Sequence, residues 1–207
     1  MKHEALHIER NLKKEIRVIG FDDGPFKKFN KKKSALAVGV IFRGGLYFEG
    51  MLKTRISIDG FNSTKKIVEA IKGSKFYPQL KAILFDGISL GGFNVIDVEE
   101  LYSKTGIPVI IIMRKIPNFR EMFEAVMHTS KPELRIKAIK KAGKIKKVRV
   151  ENTNISGFVY YQKQGCSEDY AEKIIKLTTT RALIPEPLRI AHLIASAIVE
   201  GESRGRA

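Results

Sequence analysis

The chain has very few cysteines and tryptophans: its 207 residues include Cys166 alone and no tryptophan. A single cysteine excludes an internal disulfide and any cysteine-rich metal site, and we interpret it as a structural or surface thiol. Long apolar runs are also lacking. No stretch reaches about 18 residues without a charge, so the sequence predicts no membrane span. The charged N-terminus does not fit a signal peptide, and we expect a cytoplasmic protein.

Acidic residues are scarce relative to basic ones. The chain has 22 aspartates and glutamates against 38 lysines and arginines, which gives a formal net charge of +16. Such a charge predicts attraction to polyanions, of which nucleic acid is the commonest. The alternative is a lysine-rich surface without a partner, as in some proteins from hot environments. The segments 27–33 and 135–149 are the most basic, and we predict phosphate contacts for Lys31, Lys32 and Lys33.

The order of apolar segments predicts an α/β fold, and a hydrophobic content of 43% is enough for a sizeable core. Predicted strands cover 16–21, 34–42, 46–58, 82–85, 107–113, 146–150 and 157–161. Predicted helices cover 64–72, 95–103, 119–128, 132–142, 167–178 and about 186–200. Three antiparallel strands followed by right-handed crossovers give a ribonuclease H-like mixed sheet of five or slightly more strands, flanked by helices. We expect one domain over 1–207, with 1–15 and 202–207 peripheral.

Two aspartates, Asp22 and Asp86, each follow an apolar run and precede a glycine or an Asp-Gly pair. In the predicted topology the first and fourth strands are neighbours, so these residues would lie roughly 5 Å apart. Two carboxylates that close are best kept ionised by a cation, and Mg²⁺ or Mn²⁺ is the expected one. Such a metal would activate water and stabilise charge on an attacked phosphate. The alternative is that both acids only form turns, since Asp-Gly is a common turn dipeptide.

A metal pair normally needs further ligands, and the sequence leaves their identity open. Asp59 and Asn62 follow the third predicted strand and could face the site, or they could form a turn and a helix cap. Asp23 follows Asp22 directly, so it either points away or supports the site from behind.

The last predicted helix has a polar stripe on an otherwise apolar surface, formed by Glu186, Arg189, His192 and Ser196 at steps of three and four. A buried charge without a partner is very costly, so this stripe needs partners. One interpretation is a Glu186–Arg189 ion pair with His192 at the edge. The other is that the stripe faces the metal site, with Glu186 or His192 as ligand or base and Arg189 as a phosphate clamp.

Aromatic residues accompany both basic segments. Phe29 lies in the first, and Tyr160 and Tyr161 lie near the second, which would allow stacking with bases. The glycine-rich segment 89–94 would let a ligand approach the backbone closely. That segment fits a further hypothesis, a small-molecule or nucleotide enzyme, which leaves the charge of +16 unexplained.

The opening strand that ends in Asp22, the block Leu84-Phe-Asp-Gly-Ile88 and the apolar strand Ile107 to Met113 resemble endonuclease V. More closely, the whole chain resembles an archaeal family related to it that is sometimes called endonuclease dU. Three blocks carry this closer resemblance: Phe21-Asp-Asp-Gly-Pro25, Phe85-Asp-Gly-Ile-Ser-Leu-Gly-Gly-Phe-Asn94 and Ile184-Pro-Glu-Pro-Leu-Arg-Ile-Ala-His192. The resemblance covers roughly 15–200 and implies a ribonuclease H-like fold and a Mg²⁺-dependent cut near a deaminated base.

The resemblance also implies roles for particular residues. The two core aspartates of endonuclease V match Asp22 and Asp86, and its late histidine or acid matches either Glu186 or His192. Its helix-borne glutamate has no counterpart at 60–64, where Asn62 and the preceding Asp59 are the nearest substitutes. Its strand-separating loop, of the type Pro-Tyr-Ile-Pro-Gly, is absent.

We therefore expect a metal-dependent endonuclease of the endonuclease V type that acts on DNA or RNA, with uracil and hypoxanthine as candidate target bases. In this hypothesis Asp22 and Asp86 hold the metal, Glu186 or His192 assists, and Arg189 steadies phosphate. The alternative is a catalytically reduced nucleic-acid-binding protein on the same fold, which the missing glutamate and the missing loop favour.

Overall fold

A computed structural model describes residues 15–26, 34–153 and 155–203. The predicted phosphate-binding residues Lys31, Lys32 and Lys33 lie outside these ranges. The strands are β1 Arg17–Asp23, β2 Ser34–Arg43, β3 Tyr47–Ser57, β4 Leu80–Asp86, β5 Ser89–Leu90, β6 Asn94–Val95, β7 Val109–Met113, β8 Lys146–Asn152 and β9 Ile155–Gln164. The α-helices are α1 Ser63–Lys72, α2 Val98–Thr105, α3 Phe119–Met127, α4 Pro132–Lys141, α5 Glu168–Thr178 and α6 Glu186–Glu200. Within these ranges, no helix is long and apolar enough to cross a membrane.

Seven strands form one mixed sheet in the order β3-β2-β1-β4-β7-β9-β8. β1 pairs in parallel with β4, and β4 pairs in parallel with β7, while the remaining pairs are antiparallel. This order confirms the predicted ribonuclease H-like arrangement with a sheet larger than five strands. It also confirms that the first and fourth strands are neighbours.

The glycine-rich segment between β4 and α2 differs from the prediction. It forms a small hairpin of β5 and β6, whose two-residue strands are too short to leave a periodic sequence pattern. The predicted helix over 95–103 was wrong at its start, because α2 begins only at Val98. Asp97 caps this helix by accepting a hydrogen bond from the backbone N–H of Glu100, so the residues before it stay extended.

Helices cover both faces of the sheet, and successive strand residues point to opposite faces. One face packs against α5 and α6, and the other packs against α1 and α2. Phe21 of β1 and Phe85 of β4 stack on the α1 face with their ring centroids 5.7 Å apart. The next residue of each strand, Asp22 or Asp86, therefore points toward the α6 side.

Helix α6 lies unusually close to β1 at Gly20. A Cβ atom on this glycine would lie 2.8 Å from backbone atoms of Pro187 and Leu188. The missing side chain therefore lets the first turn of α6 rest directly on the strand that carries Asp22.

Gly20→Ala is expected to lower the free energy of unfolding by about 1–3 kcal/mol, because α6 must move away from β1. Urea denaturation measures this change. Gly73→Ala is the control, since the nearest atom to its added Cβ would be the carbonyl oxygen of Glu69 at 3.2 Å and its backbone is already helical. Equal losses in the two variants would contradict the close helix–strand contact.

Candidate active site

Asp22 and Asp86 lie side by side at the C-terminal edge of the sheet. Phe21 is opposite Phe85 in the parallel β1–β4 pair, so the following aspartates continue the same register. Adjacent strands are about 4.8 Å apart, which sets the scale of the separation between these two residues. Asp22 is only 9% exposed, whereas Asp86 is half-buried.

His192 reaches this pair from α6. Its Nδ1 lies 2.9 Å from Oδ2 of Asp22. If Nδ1–H donates to this carboxylate, Nε2 keeps its lone pair and is able to accept a proton. The close packing of α6 on β1 therefore provides a candidate base, oriented by a carboxylate.

Asp23 points to the opposite side of β1 and binds the β5–β6 hairpin. Its Oδ2 accepts a hydrogen bond of 2.9 Å from the backbone N–H of Gly91. The backbone N–H of Asp23 in turn donates to Oδ1 of Asp22, also at 2.9 Å. The glycine-rich segment thus supports the site from behind. Gly91 itself has a φ of 59°, a conformation that favours glycine.

The acids of this edge resist ionisation. The pKa of Asp22 is raised to about 7 by burial and by the charges of Asp23 and Asp86. The hydrogen bond from the Asp23 N–H and the charge of His192 act in the opposite direction and lower this pKa. Burial also raises the pKa of Asp23 and of Asp86 above their ordinary values. The charge of Arg114, whose Nη2 lies 3.9 Å from Asp86 Oδ2, offsets part of this increase in the pKa of Asp86. A cation at this edge would relieve the remaining repulsion.

The polar stripe of α6 divides between two environments. Glu186 is 3% exposed, and its Oε2 accepts from Arg189 Nη2 at 2.8 Å and from Arg189 Nε at 3.0 Å. Its Oε1 accepts from the backbone N–H of Arg181. These contacts match the ion-pair interpretation for Glu186 and Arg189, whereas His192 contacts Asp22. The catalytic role of Glu186 and the phosphate-binding role of Arg189 stay predictions.

Asp59 and Asn62 bind the β5–β6 hairpin rather than the aspartate pair. Oδ1 of Asp59 accepts from the backbone N–H of Phe93 at 2.8 Å. Oδ1 of Asn62 accepts from the backbone N–H of Ser57 and from Asn94 Nδ2, both at 2.9 Å. The predicted alternative was a turn followed by a helix cap. The contacts fit a role in stabilising the turn after β3, but the Asn62 side chain makes no hydrogen bond that caps α1. The contacts do not support a role as third metal ligand.

Arg135 also fixes this hairpin, although the sequence placed it in a basic surface segment. Its side chain is 1% exposed, and its guanidinium lies 4.0 Å from the ring centroid of Phe61. It donates to the backbone carbonyl oxygen of Phe93 at 2.8 Å and to those of Asp59 and Ser130. Arg135 is therefore not available to bind phosphate, unlike the exposed basic residues of the segment 135–149.

The donor set at the sheet edge fits a divalent cation. Carboxylate oxygens are the ligands that Mg²⁺ prefers, and one or two carboxylates commonly suffice when water and substrate phosphate complete the shell. Asp22 and Asp86 supply such oxygens. Within 15–26, 34–153 and 155–203, no group of three or more histidine, cysteine, aspartate or glutamate residues is arranged to hold a metal ion. The carboxylates of Asp22 and Asp86 would therefore be the main protein ligands of such a cation.

An open cavity of about 560 Å³ adjoins the acids, lined by Asp86, Gly87, Met113, Arg114, Lys115 and His192. Arg114 and Lys115 are exposed, and they place positive charge beside the carboxylates. Sequence reasoning missed these two residues. Their signal was their position directly after the apolar strand 107–113, which ends at the same edge of the sheet as Asp86.

Comparison with known proteins shows similarity over nearly the whole chain. A family model described as endonuclease dU matches residues 14–199. A UPF0215 protein from Methanosarcina acetivorans is 47% identical over 202 residues, which cover 98% of this chain and 100% of that protein. A crystal structure of a protein of unknown function from Archaeoglobus fulgidus has a TM-score of 0.79 and 38% identity, covering 90% of this chain and 100% of the other.

Endonuclease V from Ciona intestinalis, solved in complex with DNA containing an inosine followed by a ribo-adenosine, has a similar fold. Its TM-score is 0.59 at 17% identity, over 97% of this chain and 96% of that one. A Marinitoga piezophila Argonaute in complex with guide RNA and target DNA has a TM-score of 0.52 at 14% identity, over 89% of this chain and 30% of that one. Both comparisons support the ribonuclease H-like fold.

Proposed function

This chain belongs to the endonuclease dU family, as its three sequence blocks indicated, and from that premise we propose that it is a divalent-metal-dependent endonuclease. It would cleave phosphodiester bonds in DNA or RNA. The observation that carries the proposal is the adjacent pair Asp22 and Asp86, with His192 hydrogen-bonded to Asp22. Similarity to endonuclease V supports a nuclease-like role.

Each residue at the edge has a chemical task in this proposal. Asp22 and Asp86 would hold Mg²⁺ or Mn²⁺, which would activate a water and stabilise negative charge on the attacked phosphate. His192 accepts at Nε2 the proton that the attacking water gives up, while Asp22 orients the ring through Nδ1. Arg114 and Lys115 bind the phosphates that flank the cleaved bond, because both cations line the cavity beside Asp86.

Deaminated bases are the first candidates for the target. The endonuclease V of similar fold was solved with inosine-containing DNA, and hypoxanthine is the base of inosine. Uracil is the corresponding product of cytosine deamination. We include both in the proposal, together with a role in DNA repair.

A second function, nucleic-acid binding without cleavage, is favoured by one observation. No group of three potential metal-binding side chains occurs in the described parts of the chain, so the centre has fewer protein ligands than a full two-metal site needs. The net charge of +16 would serve such a protein equally well.

A cleavage assay separates these functions. The protein is incubated with end-labelled oligonucleotides that carry uracil, hypoxanthine or no deaminated base, in Mg²⁺, in Mn²⁺ and in EDTA. We expect strand cleavage that requires the divalent metal and is fastest near a deaminated base. Binding without cleavage of any oligonucleotide in either metal would instead support the second function. Cleavage that persists in EDTA would contradict the metal-dependent centre.

A further inference from the structure

The outer strands β8 and β9 expose an aromatic and basic surface on one face of the sheet. Phe158 is 48% exposed, and Lys147 and Arg149 of β8 are exposed as well. Lys147 is opposite Tyr160, and Arg149 is opposite Phe158, so all four side chains share one face. We call these four residues the aromatic–basic face. The opposite face of the same strands is buried against α5 and α6, which explains why only this one is open.

The chemistry of the aromatic–basic face suits unpaired bases. Nζ of Lys147 lies 4.0 Å from the ring centroid of Phe158 and 6.0 Å from that of Tyr160. A ring next to a cation offers a stacking surface for a base and a charge for the adjoining phosphate. Bases in a duplex are stacked on each other and cannot reach such a ring, whereas bases of a single strand can. The net charge of +16 adds a general attraction to the strand.

The aromatic–basic face extends to the same edge of the sheet as the aspartates, although it lies on the opposite face of the sheet. Met113, the last residue of β7, is opposite Tyr160, so β9 continues past β7 and carries Phe158 beyond that edge. Asp86 is opposite Ile112 of β7, which places two strand spacings, about 10 Å, between Asp86 and β9. Met113 also lines the cavity that contains Asp86 and His192. The aspartates point toward the α6 side, so a single strand bound to the aromatic–basic face must pass over the sheet edge at Met113 to reach this cavity.

We propose that the aromatic–basic face binds single-stranded DNA or RNA and directs it into the cavity of the aspartate pair. The binding part stands on the exposed ring of Phe158, the half-buried ring of Tyr160 and the neighbouring cations alone, and the delivery part rests on the proposed nuclease function. Single-stranded nucleic acid is thus the substrate form, with base stacking on Phe158 as the main contact.

Fluorescence anisotropy in EDTA tests the binding, with labelled oligothymidine, oligouridine and a mixed-sequence duplex as probes. Phe158→Ala is expected to weaken binding of both single strands roughly tenfold and binding of the duplex much less. Phe158→Leu should behave like the alanine variant, since it keeps apolar volume without a π-face, and Phe158→Trp should retain binding. The matched control is Tyr47→Ala. Tyr47 is 50% exposed on β3, the strand at the opposite edge of the sheet, and its ring lies beside Arg43 of β2.

Several results would overturn the proposal. One is that the wild type fails to bind single strands, and another is that Phe158→Ala and Tyr47→Ala lose single-strand affinity equally. The proposal would also be overturned if Phe158→Ala weakened duplex binding as much as single-strand binding, or if Phe158→Leu bound single strands as tightly as the wild type. Circular dichroism checks that each variant is folded. Because the probes are not cleaved in EDTA, the outcome is separate from the nuclease proposal. A protein that binds through Phe158 but never cleaves would overturn the nuclease proposal and the delivery part that rests on it, and would leave the binding part standing.

Discussion

Asp86→Asn is expected to reduce the rate of metal-dependent cleavage by about three orders of magnitude or more, because a lost metal contact removes several kcal/mol of charge stabilisation. Asparagine keeps the size of the side chain and one oxygen but removes the negative charge that holds the cation. Asp86 is half-buried at the end of β4, so the substitution should leave the fold intact. Single-turnover cleavage of an end-labelled oligonucleotide measures the effect.

The matched control for this substitution is Asp169→Asn. Asp169 lies on α5 with its side chain 71% exposed and pairs with Lys173 four residues away, a surface contact of small energetic value. We expect this variant to cleave at the wild-type rate. If Asp86→Asn also cleaved at the wild-type rate, Asp86 would have no part in the chemistry.

Asp22→Asn is expected to stabilise the folded protein in the absence of divalent metal. Burial, with the charges of Asp23 and Asp86, raises the pKa of Asp22 from 3.8 to about 7, so an ionised Asp22 costs free energy in the folded state. A shift of that size corresponds to at most about 4 kcal/mol. Asparagine carries no charge and avoids this cost, although it weakens the contact with His192.

The pH dependence of this stabilisation has a definite sign. The folded-state pKa of Asp22 is raised, so the folded protein holds this proton more tightly than the unfolded chain does. The wild type therefore loses stability as pH rises from 3.8 to about 7, and the loss is complete above that window. Urea denaturation in EDTA at about pH 4 and about pH 8 should show the gain from Asp22→Asn only at the higher pH.

Asp97 provides a control of opposite sign. Burial disfavours its ionisation, but hydrogen bonds from Lys141 and from the N–H of Glu100 outweigh burial and lower its pKa. Asp97→Asn should therefore lower stability at neutral pH, where wild-type Asp97 is ionised and bound. If Asp22→Asn and Asp97→Asn changed the free energy of unfolding equally, ionisation of Asp22 would not be disfavoured by burial and by the neighbouring charges.

The order of strands and helices could be predicted because most elements are long and strongly periodic. The adjacency of Asp22 and Asp86 followed from that order alone, since the topology sets which strands are neighbours. The β5–β6 hairpin could not be predicted, because its short strands lie among glycines and are fixed by Arg135, a distant residue of α4. Local sequence carries no sign of such a contact.

The site itself was only partly predictable, for a geometric reason. Helical spacing placed Glu186, Arg189 and His192 on one face of α6, but spacing does not specify how a helix is rotated or which strand it rests on. The structure joins His192 to Asp22 and leaves Glu186 with Arg189. Likewise, the charge of Arg135 suggested a surface residue, and only the surrounding carbonyl oxygens explain its burial.

The most direct test of the aspartate centre is the thermal stability of the wild type, Asp86→Asn and Asp169→Asn during titration with Mg²⁺ or Mn²⁺ at about pH 8. Binding to the folded state should raise the melting temperature of the wild type and of Asp169→Asn in a saturable way, worth about 2.7 kcal/mol at a hundredfold excess over Kd. Asp86→Asn should respond little or not at all. An equal response in all three proteins, or no response in the wild type, would contradict a cation held between Asp22 and Asp86.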